Sequence, residues 1–372
     1  MLSSGTLENL TGRTVSLKAE NLQLTGSFKI RGAYNTIVQL DEAERRHGVV
    51  TASAGNHGQA VAWAAREAGI AATIFVPASA PMAKVEAARG YGADVVLGGE
   101  GFDDAVAAAR AHVESTGATF VHAFDNPRVV AGQGTLGLEL ADQLPPGPGT
   151  VVIPVGGGGL AGGIAIGLRE LRPELSLIGV QAAACAPYAG LAPTGPTIAD
   201  GIAIKVPAEL TKAILHDLLD EIVVVEDEAI SRAIVLLLER SKLVVEGAGA
   251  APVAALLGGL IPGDGPVCAV LAGGNIDATT LVSVTRYGLT SSGRYLVVRI
   301  VIPDRPGRLA SILAVIGAEH ANVLNVTHYR EGRSIGVLET EAEVTMETRG
   351  EEHSQHVVDV LEAAGFTVER LR

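Results

Sequence analysis

Thr25-Gly26-Ser27-Phe28-Lys29-Ile30-Arg31-Gly32-Ala33 is the stretch on which the organisation of this chain depends. It follows a predicted strand, 15–21, and leads into a helical pattern. The residues on either side of Lys29 are apolar, and in such surroundings the charged form of lysine is costly, so that its pKa falls. A lysine that loses its proton readily can attack a carbonyl group. This window alone favours the alternative, an exposed lysine on a helix that begins at Ser27.

Length and composition indicate a large globular protein. The chain has 372 residues, 48% of them hydrophobic, which is enough for two or three compact units. No apolar run is long enough to span a bilayer, and no signal pattern follows Met1. Cys185 and Cys268 fit neither a metal spacing nor a disulfide framework. The net charge is −13 without basic clusters, which argues against nucleic acid. We therefore predict a cytoplasmic protein with no nucleic-acid and no membrane partner.

Apolar strands alternate with helical patterns through most of the chain. Strands are predicted at 48–53, 71–77, 94–97, 119–122, 150–155, 175–180, 222–225 and 267–271. Helices are predicted at 33–46, from the loop at 54–58 to 68, at 82–90, 102–115 and 160–171. A Gly/Pro-rich link, 144–149, separates two such series. Continuous apolar strands between helices are typical of a parallel sheet covered on both faces, so we predict two lobes with a cleft between them.

The pattern changes near residue 286. Residues 286–293 are polar and predict a linker. Beyond Tyr295 the order is βαββαβ, with strands at 296–302, 323–329, 334–345 and 366–371 and helices at 309–319 and 353–364. This order is ferredoxin-like. The predicted division is a first domain at 1–285 with a smaller lobe at about 33–125, a linker at 286–294 and a second domain at 295–372.

A run of four glycines predicts a phosphate site. Gly156–Gly159 lie between an apolar strand and a helix, where free backbone N–H groups can face a phosphate. No Lys-Ser/Thr follows as in a Walker loop, and no acidic residue ends the strand at 175–180 as in a dinucleotide fingerprint. The phosphate therefore belongs to another kind of ligand. A flexible structural turn is the alternative.

Two further segments are weaker candidates. Ser53-Ala54-Gly55-Asn56-His57-Gly58 joins a strand to a helix and can bind an anion such as a carboxylate, although an ordinary N-cap fits equally well. Glu246 is a lone carboxylate among small apolar residues, where a structural salt bridge is the commoner role. Together with Lys29 and the glycine run, these segments suit a phosphate-bearing aldehyde cofactor held as a Schiff base.

Several strings, in order along nearly the whole chain, resemble the threonine dehydratase branch of the fold-type II pyridoxal-phosphate enzymes, whose catalytic domain is like the tryptophan synthase β chain. They are LKAENLQLTGSFKIRGAYN (17–35), TASAGNHGQAVA (51–62), PVGGGGLAGG (154–163), TIADGIAIKVP (197–207), VVEGAGA (244–250) and LAGGNID (271–277). Residues 295–372 resemble an ACT domain, with DRPGRLASIL (304–313) and ANVLNV (321–326).

The resemblance implies a role for each matching residue. Lys29 would hold pyridoxal 5'-phosphate and take the α-proton from the substrate. The remaining cofactor contacts would be Phe28 on the ring, Asn56 on the ring hydroxyl, Gly156, Gly157, Gly158, Gly159 and Leu160 on the phosphate, and Glu246 and Ala272 in the same site. The substrate carboxylate would lie on Ser53, Ala54, Gly55, Asn56 and His57. The implied reaction converts L-threonine to 2-oxobutanoate and ammonia, and L-serine to pyruvate.

This sequence departs from the family pattern at three places. Ala272 stands where many relatives have a serine hydroxyl for the pyridine nitrogen. The stretch 181–187 has no carboxylate, so we predict no metal site. Relatives have a further helix before the point at which this chain begins, so the domain is either shortened or starts earlier.

Two other functions are considered beside threonine dehydration. A serine racemase needs an acid/base opposite Lys29, and relatives use a serine at the position of Ala54, which disfavours racemisation. A catalytically weak amino-acid-binding regulator is motivated by Ala272, while Lys29 and the glycine run argue against it.

The ACT resemblance implies an amino-acid effector, isoleucine or valine, near Asp304, Gly307, Asn322 and Asn325. A passive dimerisation module is the alternative for this domain. A homodimer or homotetramer is expected in either case.

Overall fold

The computed structural model describes residues 1–330 and 335–371. The chain divides into two compact units, Met1–Asp277 (unit 1) and Ala278–Arg372 (unit 2). Among the described residues, no helix combines the length and apolarity needed to cross a membrane. Ser334, with which one predicted strand begins, and Arg372 lie outside the described residues.

Unit 1 is an α/β structure built on two sheets. Its strands are β1 (Leu2–Ser3), β2 (Val15–Ala19), β3 (Val49–Ala52), β4 (Ala72–Val76), β5 (Asp94–Leu97), β6 (Thr119–Phe120), β7 (Gly149–Pro154), β8 (Leu175–Ala182), β9 (Glu221–Val225) and β10 (Val267–Leu271). Its helices are α1 (Gly5–Thr11), α2 (Lys29–Val38), α3 (Glu42–His47), α4 (Asn56–Glu67), α5 (Met82–Gly90), α6 (Phe102–Thr116), α7 (Pro127–Gln143), α8 (Gly159–Leu171), α9 (Glu209–Leu218), α10 (Asp227–Leu236) and α11 (Gly247–Leu257).

The two sheets form the two predicted lobes. The larger sheet has the order β1-β2-β10-β7-β8-β9 and the smaller one β5-β4-β3-β6. All pairs are parallel except β1 with β2. Strands such as β7 and β10 are buried along their length, because helices cover both faces. The carboxyl ends of parallel strands share one edge, where α/β proteins place their ligands.

One predicted helix is wrong in its extent. Residues 33–46 were expected to form a single helix, but α2 ends at Val38 and α3 begins at Glu42. Asp41 caps α3, accepting from the Glu44 N–H at 2.8 Å, while the Glu44 carboxylate accepts from the Asp41 N–H at 2.8 Å. This capping box starts a separate helix.

Unit 2 has the predicted βαββαβ order. Its elements are α12 (Ala278–Ser291), β11 (Tyr295–Pro303), α13 (Arg308–Ala318), β12 (Asn322–Tyr329), β13 (Glu339–Glu347), α14 (Glu351–Ala363) and β14 (Thr367–Arg370). The antiparallel sheet has the order β12-β13-β11-β14. Its core contains Leu296, Val298, Ile300, Val344 and Met346, packed with apolar residues of α13 and α14.

The segment predicted to be a linker is largely helical. Helix α12 covers Ala278–Ser291 and so includes most of 286–294. The boundary between the compact units falls between Asp277 and Ala278, several residues before the predicted one. The polar composition of this segment reflects exposed positions on a helix rather than an extended linker.

Candidate active site

Lys29 begins helix α2 directly beside the end of strand β10. The Phe28 N–H donates to the Ala272 carbonyl oxygen at 3.0 Å, and Ser27 forms an isolated antiparallel bridge with Gly273. These backbone contacts attach the segment before Lys29 to the carboxyl edge of the larger sheet. The lysine is therefore at the edge where the sheet would receive a ligand.

The Lys29 amine lies in a largely apolar environment. Its Nζ donates to the Ala123 carbonyl oxygen at 2.9 Å and lies 5.2 Å from the centre of the Phe28 ring. Desolvation lowers the pKa of Lys29 to about 8, against the opposing attraction of the Glu246 carboxylate. The alternative of an ordinary exposed helical lysine is therefore excluded, and the neutral amine is accessible near neutral pH.

This pKa gives a testable pH dependence. Only the neutral amine attacks an aldehyde, so covalent capture of an added aldehyde by Lys29 should rise about tenfold per pH unit below 8 and level off above it. The measurement is the rate of labelling at Lys29, trapped with borohydride and located by mass spectrometry between pH 6 and pH 10. A rate that still rises tenfold per unit at pH 9 to 10 would contradict the lowered pKa.

Arg31, two residues beyond the lysine on α2, holds this helix in place through ion pairs. Its Nε donates to Glu20 Oε2 at 2.7 Å and its Nη1 to Glu139 Oε1 at 2.6 Å. Lys18 also pairs with Glu139. Because Lys18 and Glu20 are buried, breaking one pair would leave a charge without its partner. This cluster was not predicted, because Glu139 lies 108 residues from Arg31 in sequence.

The glycine run forms the predicted turn between β7 and α8. Helix α8 begins at Gly159, and the N-cap residue before it, Gly158, has φ +85° and makes no side-chain cap hydrogen bond. A β-carbon at Gly157 would collide with the Phe124 ring, and one at Gly156 would come within 2.9 Å of Ile202 Cα. Glycine is required here because the loop is packed closely, and the uncapped helix terminus offers its N–H groups to an anion.

Tyr188 holds the glycine turn through a hydrogen bond to its backbone. Its hydroxyl donates to the Gly157 carbonyl oxygen at 3.2 Å and lies 3.1 Å from Thr211 Oγ1. Gln181 Oε1 in turn accepts the Tyr188 N–H at 2.9 Å, while its Nε2 donates to the Val155 carbonyl oxygen at 3.2 Å. The buried Gln181 amide thus connects Val155, just before the glycine run, to Tyr188. Neither Tyr188 nor Thr211 was a candidate from sequence.

Asn56, Glu246 and Asn275 form one hydrogen-bonded chain. Asn56 Nδ2 lies 2.9 and 3.1 Å from the two Glu246 oxygens, and Asn56 Oδ1 accepts from Asn275 Nδ2 at 2.7 Å. Asn275 also donates to the Thr25 carbonyl oxygen at 2.8 Å. Burial raises the pKa of Glu246 to about 7, although the Asn56 hydrogen bonds favour the ionised form. Glu246 and Asn275, from two other segments of the chain, therefore fix the orientation of the Asn56 amide.

The predicted carboxylate-binding loop lies at the carboxyl end of β3. Ser53, Ala54 and Gly55 form the turn, and α4 begins at Asn56 without a side-chain cap. The His57 ring points into its own lobe, where Nε2 lies 2.8 Å from the Val121 carbonyl oxygen. Desolvation and the charge of Lys29 lower the pKa of His57 to about 3, so the ring is neutral and donates there. Only the backbone of His57 remains for a carboxylate.

Ala272 occupies an apolar position at the end of β10. The residue is buried within the core of the larger lobe and offers no hydroxyl. In the segment before Lys29, however, the buried hydroxyls of Thr25 and Ser27 have no hydrogen-bond partner. Buried hydroxyls are normally paired, so these two point to a group or water that pairs with them. They and the glycine cradle fit a polar, phosphate-bearing group next to Lys29.

The site combines an amine that can attack an aldehyde with a nearby glycine turn suited to a phosphate. This combination defines the class of enzymes that carry a phosphorylated aldehyde cofactor on a lysine. The chain belongs to the pyridoxal-phosphate dependent enzymes, whose family model matches residues 1–273. A second family model, the ACT domain, matches residues 296–366. The predicted family, fold class and cofactor are confirmed by these matches.

Individual relatives agree with the family assignment. The chain is 47% identical over 371 residues to a protein of Geobacter sulfurreducens named L-threonine ammonia-lyase, covering 97% of this chain and 92% of the relative. Among solved structures, the processed form of threonine deaminase isoform 2 from Solanum lycopersicum has a TM-score of 0.73 at 35% identity, over 76% of this chain and 86% of that one. Maize serine racemase has a TM-score of 0.71 at 33% identity, and the match covers 76% of this chain and 91% of the maize protein.

No group of three or more His, Cys, Asp or Glu side chains suited to a metal ion occurs within residues 1–330 and 335–371. The predicted absence of a metal site stays a prediction.

Proposed function

We propose that this chain is an L-threonine ammonia-lyase that converts L-threonine to 2-oxobutanoate and ammonia, and L-serine to pyruvate. The observation that carries the proposal is the Lys29 amine, whose pKa is lowered to about 8, at the same sheet edge as the uncapped glycine turn. The full-length relative from Geobacter supports threonine as the substrate.

Each side chain of the site has a proposed task. When bound, pyridoxal phosphate withdraws electrons and acidifies the substrate Cα–H bond. Lys29 Nζ removes that proton, which needs an amine that is neutral near physiological pH. The Gly156–Gly159 turn and Leu160 bind the phosphate, and Phe28 packs on the ring. Asn56, oriented by Glu246 and Asn275, donates to the ring hydroxyl.

The substrate carboxylate is proposed to bind at the turn formed by Ser53, Ala54 and Gly55 and at the backbone of Asn56 and His57. The N-terminus of α4 has no side-chain cap, so its N–H groups are oriented towards an anion. Binding at this turn places the carboxylate between the two lobes.

Serine racemisation is the second candidate, favoured by the structural likeness reported above. It requires a second acid/base opposite Lys29, and the methyl side chain of Ala54 cannot transfer a proton. With L-serine we expect pyruvate to exceed D-serine. A matched variant, Ala54→Ser, should raise the share of D-serine while leaving cofactor absorbance unchanged. D-serine in excess of pyruvate with the unmodified protein would overturn the choice.

A catalytically weak regulator is the remaining candidate, because Ala272 offers no hydroxyl at the end of β10. The assay that separates it measures keto acid from L-threonine, L-serine and their D-forms, with and without added pyridoxal phosphate. Keto acid from L-threonine supports the lyase. Cofactor absorbance without keto acid from any of the four amino acids would support the regulator.

For the assembly and the regulation, we propose a homodimer or homotetramer whose ACT domain binds isoleucine or valine near Asp304, Gly307, Asn322 and Asn325. A cytoplasmic location is supported by the two free, buried cysteines, Cys185 and Cys268. Threonine saturation curves with added isoleucine or valine test the regulation, and a shift with either is expected.

A further inference from the structure

Two side chains from one neighbouring segment hold alternate carbonyl groups of the glycine turn. The buried Gln181 donates from Nε2 to the Val155 carbonyl oxygen at 3.2 Å. Further along the turn, the Tyr188 hydroxyl donates to the Gly157 carbonyl oxygen at 3.2 Å. The two side chains act together, because Gln181 Oε1 accepts the Tyr188 N–H at 2.9 Å. Gln181 and Tyr188 thus form a carbonyl clamp on the turn.

The tyrosine half of the carbonyl clamp has a fixed direction. A carbonyl oxygen only accepts, so the hydrogen bond to Gly157 requires the Tyr188 proton. Thr211 Oγ1 lies 3.1 Å from the same hydroxyl and can donate to it. Desolvation raises the pKa of Tyr188 above its ordinary value. The hydroxyl therefore keeps its proton near neutral pH and remains a donor.

Each clamped carbonyl fixes the N–H group that follows it. In a planar trans peptide, the C=O of one residue and the N–H of the next point in opposite directions. Holding the Val155 oxygen therefore directs the Gly156 N–H away from the clamp, and holding the Gly157 oxygen does the same for the Gly158 N–H. Glycine has no side chain to restrict these peptide planes, so their orientation depends on the clamp.

The two N–H groups directed in this way are free to bind a ligand. Gly156 and Gly158 are buried, and in the part of the chain that the structure describes their N–H groups donate to no acceptor. More than about 90% of buried backbone N–H groups in proteins are paired. Two unpaired ones on the same turn therefore indicate a ligand with several acceptor oxygens, such as a phosphate.

We propose that Gln181 and Tyr188 are positioning residues that direct the Gly156 and Gly158 N–H groups at the cofactor phosphate. This inference rests on the proposed binding of that phosphate at the glycine turn. Hydrogen bonds to an anion are strong and depend on alignment. The affinity that the phosphate contributes therefore depends on the clamp, while the reaction of the aldehyde with Lys29 does not.

The test compares pyridoxal phosphate with pyridoxal, which has the same ring and aldehyde but no phosphate. Both are titrated into the full-length protein after removal of the cofactor, and the absorbance of the bound form gives the dissociation constants. We expect Tyr188→Phe to weaken binding of pyridoxal phosphate about tenfold and that of pyridoxal less than about twofold. The phosphorus NMR signal of the bound cofactor should also move in this variant.

A hydroxyl far from the turn provides the matched control. Thr11 Oγ1 donates to the Leu7 carbonyl oxygen at 2.7 Å on α1, and Thr11→Val should leave both dissociation constants within about twofold. Thermal unfolding shows which variants are folded. If Tyr188→Phe does not fold, Thr211→Val keeps the side-chain shape and removes only a donor to Tyr188. It should weaken pyridoxal phosphate alone, by about threefold.

Equal weakening of pyridoxal phosphate and pyridoxal in a folded clamp variant would overturn the proposal, because it would indicate a general structural role. Unchanged binding of both compounds would overturn it as well. Gly157→Ala separates the clamp from the phosphate position on which it rests. A selective loss of pyridoxal phosphate in Gly157→Ala but not in Tyr188→Phe refutes only the clamp. Equal loss of both compounds in Gly157→Ala refutes the proposed phosphate position.

Discussion

Lys29→Ala should reduce keto-acid formation from L-threonine by more than about 1,000-fold, because it removes both the covalent anchor of the cofactor and the base that takes the α-proton. Within residues 1–330 and 335–371, Lys29 Nζ donates one hydrogen bond, to the Ala123 carbonyl oxygen, so its loss disturbs little else. Turnover is measured under saturating substrate and cofactor. The absorbance of lysine-bound pyridoxal phosphate should disappear in the same variant.

An exposed lysine provides the matched control. Lys212 lies on α9 with its side chain in solvent, and Lys212→Ala should keep activity within about twofold of the unmodified protein. Thermal unfolding of both variants shows that they are folded. Substantial threonine turnover by folded Lys29→Ala would refute the assignment of this lysine.

Gly157→Ala should weaken pyridoxal phosphate binding by about 10- to 100-fold. Its β-carbon would overlap the Phe124 ring, and overpacking of this kind costs about 1–3 kcal/mol. Either the Phe124 ring or the glycine turn must move. Movement of the turn displaces the N–H groups proposed to hold the phosphate. The dissociation constant is measured by titrating the cofactor-free protein and following the absorbance of the bound form.

Gly167 offers a control on the same helix. A β-carbon there meets its nearest atom, the Gly134 carbonyl oxygen, at 3.4 Å, an ordinary contact. Gly167→Ala should therefore leave cofactor affinity unchanged and raise stability by about 0.5–1 kcal/mol through helix propensity. Cofactor affinity of Gly157→Ala within twofold of the unmodified protein would contradict a tightly packed phosphate turn.

Local sequence patterns correctly predicted the bounds of some elements and the positions of two turns. Strand β10 and helix α5 have the expected bounds, and the turns at 53–58 and 156–159 lie at strand ends as expected. Strand β10 is a short apolar run followed by a glycine turn, a signal that depends little on tertiary context. The apolar neighbours of Lys29 indicated a lowered pKa. That window alone nevertheless favoured an exposed helical lysine, and only the glycine run and the family resemblance reversed the choice.

Helix α7 was not predicted, and the reason is physical. Gly132, Gly134 and Gly137 lower its helix propensity, but they allow close packing against α2 and α8. A β-carbon at Gly132 would come within 2.6 Å of Gly32 Cα, and one at Gly137 within 2.8 Å of the Ile164 carbonyl oxygen. The glycines that lower the helix propensity of this segment are the same ones that allow α7 to pack closely against its neighbours.

The hydrogen-bonded chain of Asn56, Glu246 and Asn275 could be predicted only in part. Glu246 was a candidate because of its apolar surroundings, yet its partner Asn56 is 190 residues away. Asn275 belongs to the family motif at 271–277 but had no predicted role. The contact between Asn275, after β10, and Asn56, at the start of α4, depends on how the two lobes fold together. Local sequence patterns therefore do not predict it.

Chemical mapping shows whether Lys29 carries the cofactor. The holoenzyme is reduced with borohydride, digested and mapped by mass spectrometry. We expect a pyridoxyl phosphate group on the peptide that contains Lys29 and on no other lysine. Labelling at another lysine, such as Lys84 or Lys205, with Lys29 unmodified would contradict it.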